Sequence, residues 1–501
     1  MGSIATTSLP FTLQNQSLYK DQAYVDGQWV EAKSGNRFDI VDPGSGRIWA
    51  TCADMAAEDV DNAVNGAYKA FQKFRIVSPR ARADLLLRWD ALIRANKEDI
   101  ATILVHETGK PYAEAIGEIE YATSFTRWFA AEAERVHGTV FTPSMAGRRV
   151  FTIKQPIGVA AALVPWNFPI AMILRKAAAA LAAGCTMIVK PSPETPLSAL
   201  TLAHLAEQAG FGQGVFSVLP TTLANTPALS EALCKHEYIK KVTFTGSTRV
   251  GKLISQHCSS GLKKLTLELG GNCPFLIFDD ANLVQACDAL MALKYRHAGQ
   301  ACITANRVYV QSGVYDKVAQ MLVDGARKLR VGHGMDKTTT MGPLTVPAGI
   351  EKVASQIKDA VSSGGKVLTG GQKIEIEGGY FFEPTIIGNA TPSMQVSSEE
   401  TFGPLLALFP FSTEEEAITA ANNTSMGLAS YFFTKNIDRT WRLLENLESG
   451  MIGMNTGNAS AAEAPFGGIK DSGYGKESGK DVAIQEYMIT KTGTLTLEGQ
   501  N

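Results

Sequence analysis

The chain has 501 residues, a formal net charge of −2, 45% hydrophobic residues and 19% charged residues. This balance fits two or more globular domains with a large core, and it excludes a disordered chain or a strongly basic nucleic-acid binder. The seven cysteines are odd in number, widely spaced and without a CxxC pair, which argues against a disulfide framework or a local zinc motif and for reduced thiols.

The first residues, MGSIAT, meet the minimal N-myristoylation pattern at Gly2 and Thr6. No polybasic segment follows to provide a second anchor, so residues 1–20 read as a loose polar tail. No basic, apolar and small-residue leader opens the chain. The most apolar stretch, VAAALVPWNFPIAMIL, has 16 residues broken by Pro165, Asn167 and Pro169, too short to span a bilayer. The expected location is therefore cytoplasmic, with no membrane and no nucleic-acid partner.

YVDGQWVEAKSGNRFDIVDPGSG alternates around glycine turns as short strands do. Residues 81–108 read as one long helix with Leu85, Leu86, Leu87, Leu92 and Ile93 on its apolar face. From Ile157 the pattern becomes strand and helix in strict alternation. GVAAALVP, TMIVKP, GVFSVLP, KKVTFTG and KKLTLELGG are strands, with helices at 169–183, 196–209, near 225–235 and at 247–258. Such uniform short apolar runs suit a parallel sheet covered on both faces, which binds ligands at the carboxyl ends of its strands. A second series follows Gly271, with PFLIFDD, NRVYVQS, FFEPTII, LASYFFT and GMIGMN as strands. RRVFTIKQ and EYMITKTGTLTL alternate with period two and resemble exposed strands that need a partner.

Four motifs could carry chemistry. FTGSTRVGKL follows a strand and opens a helix, with Gly246, Ser247 and Gly251 spaced as in a phosphate-binding loop. Leu253 stands where such a loop needs Ser or Thr for magnesium, so an ATP-dependent phosphotransferase is disfavoured. The spacing alone leaves an ordinary capped turn equally open. LTLELGGN sets Glu268 before a diglycine that lets backbone approach closely, as a general base or as a plain salt-bridge partner. VPWNFP holds Asn167 in a proline-flanked turn, as an oxyanion donor or a turn former. Lys190 ends the next strand, facing an anion or solvent. All four sit at carboxyl ends of strands in one inferred sheet.

The blocks VPWNFP, FTGSTRVG, LELGGN, GQACITANR, EETFGP and APFGGIKDSGYGKE, in this order over residues 25–495, resemble the NAD(P)-dependent aldehyde dehydrogenase superfamily. The resemblance implies Cys302 as nucleophile, Glu268 as general base and Asn167 as oxyanion amide. It also implies a cofactor set of Pro165, Trp166, Lys190, Pro193, Gly246, Ser247, Gly251, Glu400 and Phe402. An ionised sulfur would attack the aldehyde and the resulting thioester would be hydrolysed.

FPIAMILRKAAAALAAGCTMIVKP, KYRHAGQAC and NTGNASAAEAPFGG further resemble the succinic semialdehyde dehydrogenase branch, in which two arginines and a serine bind the distal carboxylate. The matching positions are Arg175, Arg296 and Ser460, and a guanidinium fork suits a carboxylate. Alternatively the arginines are structural ion-pair partners. Thr304 stands where some members carry a second, redox-active cysteine. Pro193 stands where NAD-preferring relatives carry Glu, with Glu194 one place later, so NADP is expected to be accepted and NAD remains open. A broader aldehyde dehydrogenase and a non-catalytic ligand-binding relative are the competing readings.

The expected fold is α/β. A Rossmann-like doubly wound parallel sheet forms a dinucleotide-binding domain from residues 21–135 and 157–269. A second α/β catalytic domain covers 270–480. A small β oligomerisation arm covers 136–156 and 481–501, giving a homodimer or homotetramer. No metal is expected.

Overall fold

The computed structural model describes residues 9–498. The MGSIAT pattern lies outside them. Residues 9–20 are not a loose tail. Leu13 and Leu18 are buried, and the backbone N–H groups of Gln14 and Asn15 donate to the Asp99 carboxylate at 3.0 and 2.7 Å. Two apolar side chains and two charge-assisted hydrogen bonds hold this segment down.

The first sheet has eight strands. Its centre is five parallel strands, in the order Phe216–Val218, Thr186–Lys190, Val159–Leu163, Ile239–Thr245, Lys264–Glu268. Numbered along the chain this is 3-2-1-4-5, so the winding reverses between Val159–Leu163 and Ile239–Thr245. The loops leaving those two strands diverge and open a crevice at their carboxyl ends. Both faces are covered. Pro169–Ala183, a helix buried on every side, packs on one face with Pro196–Ala209 and Tyr112–Ala133. Ala57–Phe74, Thr226–Lys235 and Thr248–Ser259 cover the other. The alanines of Pro169–Ala183 let it lie close between sheet and neighbouring helix.

The edge strand Gly473–Tyr474 pairs antiparallel with Lys264–Glu268. The chain thus returns to the first sheet inside the span that sequence reading gave to 270–480. The residues read as one helix over 81–108 form two, Pro79–Ala95 and Lys97–Thr108, broken where Asn96 leaves helical geometry. Leu87 points to solvent.

The second sheet has seven strands, in the order Lys366–Thr369, Thr385–Gly388, Leu405–Phe411, Ala305–Gln311, Cys273–Ile277, Ala429–Phe433, Met451–Met454, all parallel except the first. Its interior strand Leu405–Phe411 escaped the sequence reading. Pro410 argues against an interior strand, yet it is exposed near the strand's end.

Arg148–Pro156 and Met488–Thr496 pair antiparallel over their whole lengths, with Val140–Phe141 as third strand. Phe151, Ile153, Ile489 and Leu495 are exposed on this ribbon. Among the described residues no helix is long and apolar enough to cross a membrane. All seven cysteines are unpaired.

Candidate active site

A cavity of about 210 Å³ lies at the winding reversal, lined among others by Pro165, Trp166, Gly246, Ser247, Glu400 and Phe402. Ser247 caps the helix Thr248–Ser259, its hydroxyl accepting from the Val250 N–H at 3.4 Å. The helix therefore presents its amide-rich end to the cavity. Trp166 and Phe402 meet edge-on, with ring centroids 5.5 Å apart. Phe402 adopts φ of 54°, unusual for a bulky residue. One oxygen of Glu400 accepts from the Gly271 N–H at 3.2 Å. Burial pushes the Glu400 carboxyl up to about 7.

Glu268 ends its strand opposite Thr245, and the Gly246 N–H donates to the Glu268 carbonyl at 3.1 Å. The side chain is buried, and neither carboxylate oxygen has a hydrogen-bond partner of ordinary geometry. Burial raises its pKa, against the pull of Arg175. The Cys302 thiol lies against it, and burial together with the Glu268 charge pushes that thiol well up. Burial therefore opposes the ionised sulfur expected from the sequence, and its proton needs a base as it attacks. The two groups are coupled: burial raises both, and an ionised Glu268 raises the thiol further.

Two backbone features bring Cys302 here. His297 and Ala298 adopt φ of 49° and 51°, which turns the chain sharply after the helix Leu283–Tyr295. A side chain at Gly271 would place its Cβ 2.3 Å from the Cys302 carbonyl oxygen, so only glycine lets this loop approach. Asn167 is buried, and its Nδ2 donates to the Gln300 carbonyl at 3.0 Å. The second N–H of that amide remains for a ligand. The backbone carbonyl of Asn167 accepts from Lys110 Nζ at 2.8 Å, and Lys110 also pairs with Glu118.

A second cavity of about 610 Å³ meets the first at Cys302, Phe168 and Met172. Arg175, Arg296 and Ser460 all line it. Their states differ. Arg175 is buried and bound to Glu477, with Nε donating at 3.0 Å and Nη2 at 2.9 Å from the carboxylate. Lys176 takes the other oxygen of Glu477 at 2.5 Å. Two cations therefore share one carboxylate, whose pKa they lower despite its burial. Arg296 is exposed, 5.2 Å above the Phe168 ring, and makes no ion pair among the described residues. The Ser460 hydroxyl is hydrogen-bonded to Tyr121 Oη.

Lys190, Pro193 and Gly251 do not line either cavity. Lys190 Nζ is 3.4 Å from Thr226 Oγ1, and burial lowers its pKa to about 8. The Ser192 hydroxyl donates to the Glu194 carboxylate. Gly251 has a packing role: a Cβ there would lie 2.4 Å from Leu269 Cδ2, so glycine brings the helix onto the strand end.

The model of the Aldehyde dehydrogenase family matches residues 29–493. The chain belongs to that family. It is 46% identical over 484 residues to the Saccharomyces cerevisiae succinate-semialdehyde dehydrogenase [NADP(+)], covering 97% of each chain. It is also 46% identical over 479 residues to the Pseudomonas putida 3-sulfolactaldehyde dehydrogenase, covering 96% of this chain and 98% of the relative. The crystal structure of succinate-semialdehyde dehydrogenase from Burkholderia pseudomallei superposes with a TM-score of 0.95 at 44% identity, covering 97% of this chain and all of that one. This aldehyde dehydrogenase is therefore an oxidoreductase with the fold expected from its sequence.

Sequence reasoning missed several residues of the aldehyde dehydrogenase site. Glu477 closes the APFGGIKDSGYGKE block, yet nothing in that block names Arg175 and Lys176 as its partners. Tyr121 and Phe466 line the larger cavity from segments that carry no motif or only its apolar part. Gln300 sits in the nucleophile block, where its role as acceptor for Asn167 is invisible.

Proposed function

We propose that the enzyme oxidises a short aldehyde with a terminal carboxylate, succinic semialdehyde, to the dicarboxylate. The oxidant is NADP⁺ or NAD⁺, and the reaction proceeds through acylated Cys302. The observation that carries the substrate reading is Arg296, a guanidinium at the larger cavity that has no ion pair among the described residues. An exposed guanidinium free of any ion pair can turn to a carboxylate end and bind it with two parallel hydrogen bonds. Ser460 supplies a hydroxyl.

The smaller cavity fits a nicotinamide. An aromatic slot takes a planar ring, Glu400 can accept from ribose hydroxyls, and the capped helix end with Gly246 and Ser247 suits a pyrophosphate. The bound nicotinamide supplies the hydride acceptor. The chain's own residues do the rest. Glu268 takes the thiol proton as Cys302 sulfur bonds the aldehyde carbon. The free N–H of Asn167 Nδ2 donates to the oxygen that becomes negative. Glu268 then gives that proton up to solvent and, after oxidation, takes a proton from the water that attacks the thioester; the C–S bond breaks and the proton returns to the Cys302 sulfur. The neighbouring Lys190 would meet a ribose 2′-phosphate, and position 193 carries no carboxylate to repel it. The Arg148–Pro156 and Met488–Thr496 ribbon would pair with another copy, giving a homodimer or homotetramer. The unpaired cysteines suit a reducing compartment such as the cytosol.

Arg296→Ala is expected to raise KM for succinic semialdehyde about 10- to 100-fold, the loss of one or two charged hydrogen bonds. KM for butyraldehyde should change by less than about threefold. Equal effects on both aldehydes would remove the carboxylate assignment. The similarity to the 3-sulfolactaldehyde enzyme favours a second reading in which the terminal anion is a sulfonate. The ratio of kcat/KM for the two anionic aldehydes decides between them.

Lys190 also sets a pH dependence. Its pKa is lowered to about 8, so its charge is present below that pH and lost above it. KM for NADP⁺ should therefore rise as pH passes from about 7 to about 9, while KM for NAD⁺ rises less. Parallel profiles for the two cofactors would separate Lys190 from the 2′-phosphate.

A further inference from the structure

Away from both cavities, three residues distant in sequence converge. Asp42 leaves the hairpin Arg37–Asp42/Arg47–Ala53, His106 lies in the last turn of Lys97–Thr108, and His333 lies in the segment after Leu329. One ligand atom of each lies within 4.8 Å of the others. His333 Nε2 is 2.9 Å from Asp42 Oδ2, and His106 Nδ1 is 3.6 Å from the same oxygen. Tetrahedral zinc with bonds of about 2.0–2.1 Å separates neighbouring ligand atoms by about 3.3 Å. Asp42 and His106 are more than nine-tenths buried. His106 Nδ1 has no hydrogen-bond partner, although it faces this carboxylate.

We propose that Asp42, His106 and His333 bind a divalent transition-metal ion of the Zn²⁺ class. Two imidazoles and one carboxylate are the donor set that such ions take, with solvent completing the sphere on the side where His333 is partly open. The surroundings already orient the ligands. The Gly44 N–H donates to Asp42 Oδ1 at 2.8 Å and the Ser45 hydroxyl to Oδ2 at 2.8 Å. The Phe11 ring stacks on His106 at 4.6 Å. A side chain at Gly44 would put its Cβ 2.3 Å from His333 Cδ2, so glycine keeps the ring in place. Ligation through His333 Nε2 moves the ring proton to Nδ1. That gives up the bond which Nδ1 now accepts from the Met335 N–H at 3.1 Å, in an exposed turn where water can satisfy that N–H.

The ion would pin three segments together. The Gly334 carbonyl accepts from the Tyr112 N–H at 2.9 Å, just beyond Lys110, which holds the Asn167 carbonyl. The site is therefore a structural clamp outside the chemistry, and His333→Ala should keep the parent's kcat in metal-free buffer.

The test uses the full chain carrying Cys302→Ala, because the other six cysteines are buried and the nucleophile is thereby removed from metal chemistry. After chelator treatment, Zn²⁺ alone is added and retained metal is counted after desalting. One ion per chain and a Tm increase of a few degrees are expected. Adding His333→Ala should abolish both. Co²⁺ in place of Zn²⁺ should give the visible absorption of a low-coordinate imidazole complex in Cys302→Ala and none with His333→Ala added. This spectrum stands independently of whether a His106 variant folds. No retained Zn²⁺, or one retained ion that survives His333→Ala, would overturn the proposal.

Discussion

Cys302→Ser is expected to lower kcat/KM for the aldehyde by on the order of 10⁴-fold or more, the scale of losing a covalent nucleophile. The reason lies in the proton arrangement. The thiol is raised by burial and by the Glu268 charge, and the carboxyl of Glu268 is raised by its own burial. Raised by burial, the Glu268 carboxylate is a stronger base toward the neighbouring thiol than an ordinary carboxylate. A serine hydroxyl has a far higher pKa, so the same carboxylate cannot ionise it. Measured with saturating cofactor, the variant should show no burst of reduced nicotinamide. A Cys302→Ser enzyme within tenfold of the parent would mean that the sulfur is a bystander.

The second large effect concerns Glu268→Gln, in which the amide keeps the shape but cannot take a proton. Steady-state kcat should fall by about 10²- to 10⁴-fold. One equivalent of reduced nicotinamide per site should still form, slowly, after which the acylated enzyme stalls. The pH profile adds a sign. Glu268 must be deprotonated to activate water, and burial raises its pKa. The parent's rate should therefore climb with pH through a value above the ordinary carboxylate range, and that limb should vanish in Glu268→Gln. Undiminished multiple turnover in Glu268→Gln would move the base elsewhere, with Glu400, held at about 7, the next carboxyl in the cavity.

The two variants probe the residues most legible in the sequence, for a reason that can be stated. Asn167 lies in the turn four residues past Val159–Leu163, Glu268 ends Lys264–Glu268, and Gly246 follows Ile239–Thr245. Strand ends in a doubly wound sheet converge on one rim, so local pattern and topology agree. The arm strands were legible because period-two alternation survives only where one face stays exposed, as in Arg148–Pro156. Leu405–Phe411 was missed because Pro410 gives a contrary local signal. The docked residues near Leu13 and Leu18 were missed because a few apolar residues among polar ones carry no period.

The two arginines proposed for the substrate mark the limit. Sequence sets Arg175 and Arg296 side by side as equals, whereas the folded chain commits Arg175 to Glu477 and leaves Arg296 over Phe168. The Asp42, His106 and His333 cluster is equally silent in sequence, since spacing rules find ligands only when they share a turn or a loop.

The sequence by itself determined most of the strand and helix order and marked the rim, the sulfur and the carboxylate as candidates. These depend on side-chain period and on residue type, which are local. Only the tertiary structure decided which charges are neutralised, that burial raises the thiol, and which distant histidines meet a carboxylate. Those depend on burial and on separations of a few ångströms between segments far apart in the chain, where the low dielectric makes each partner count.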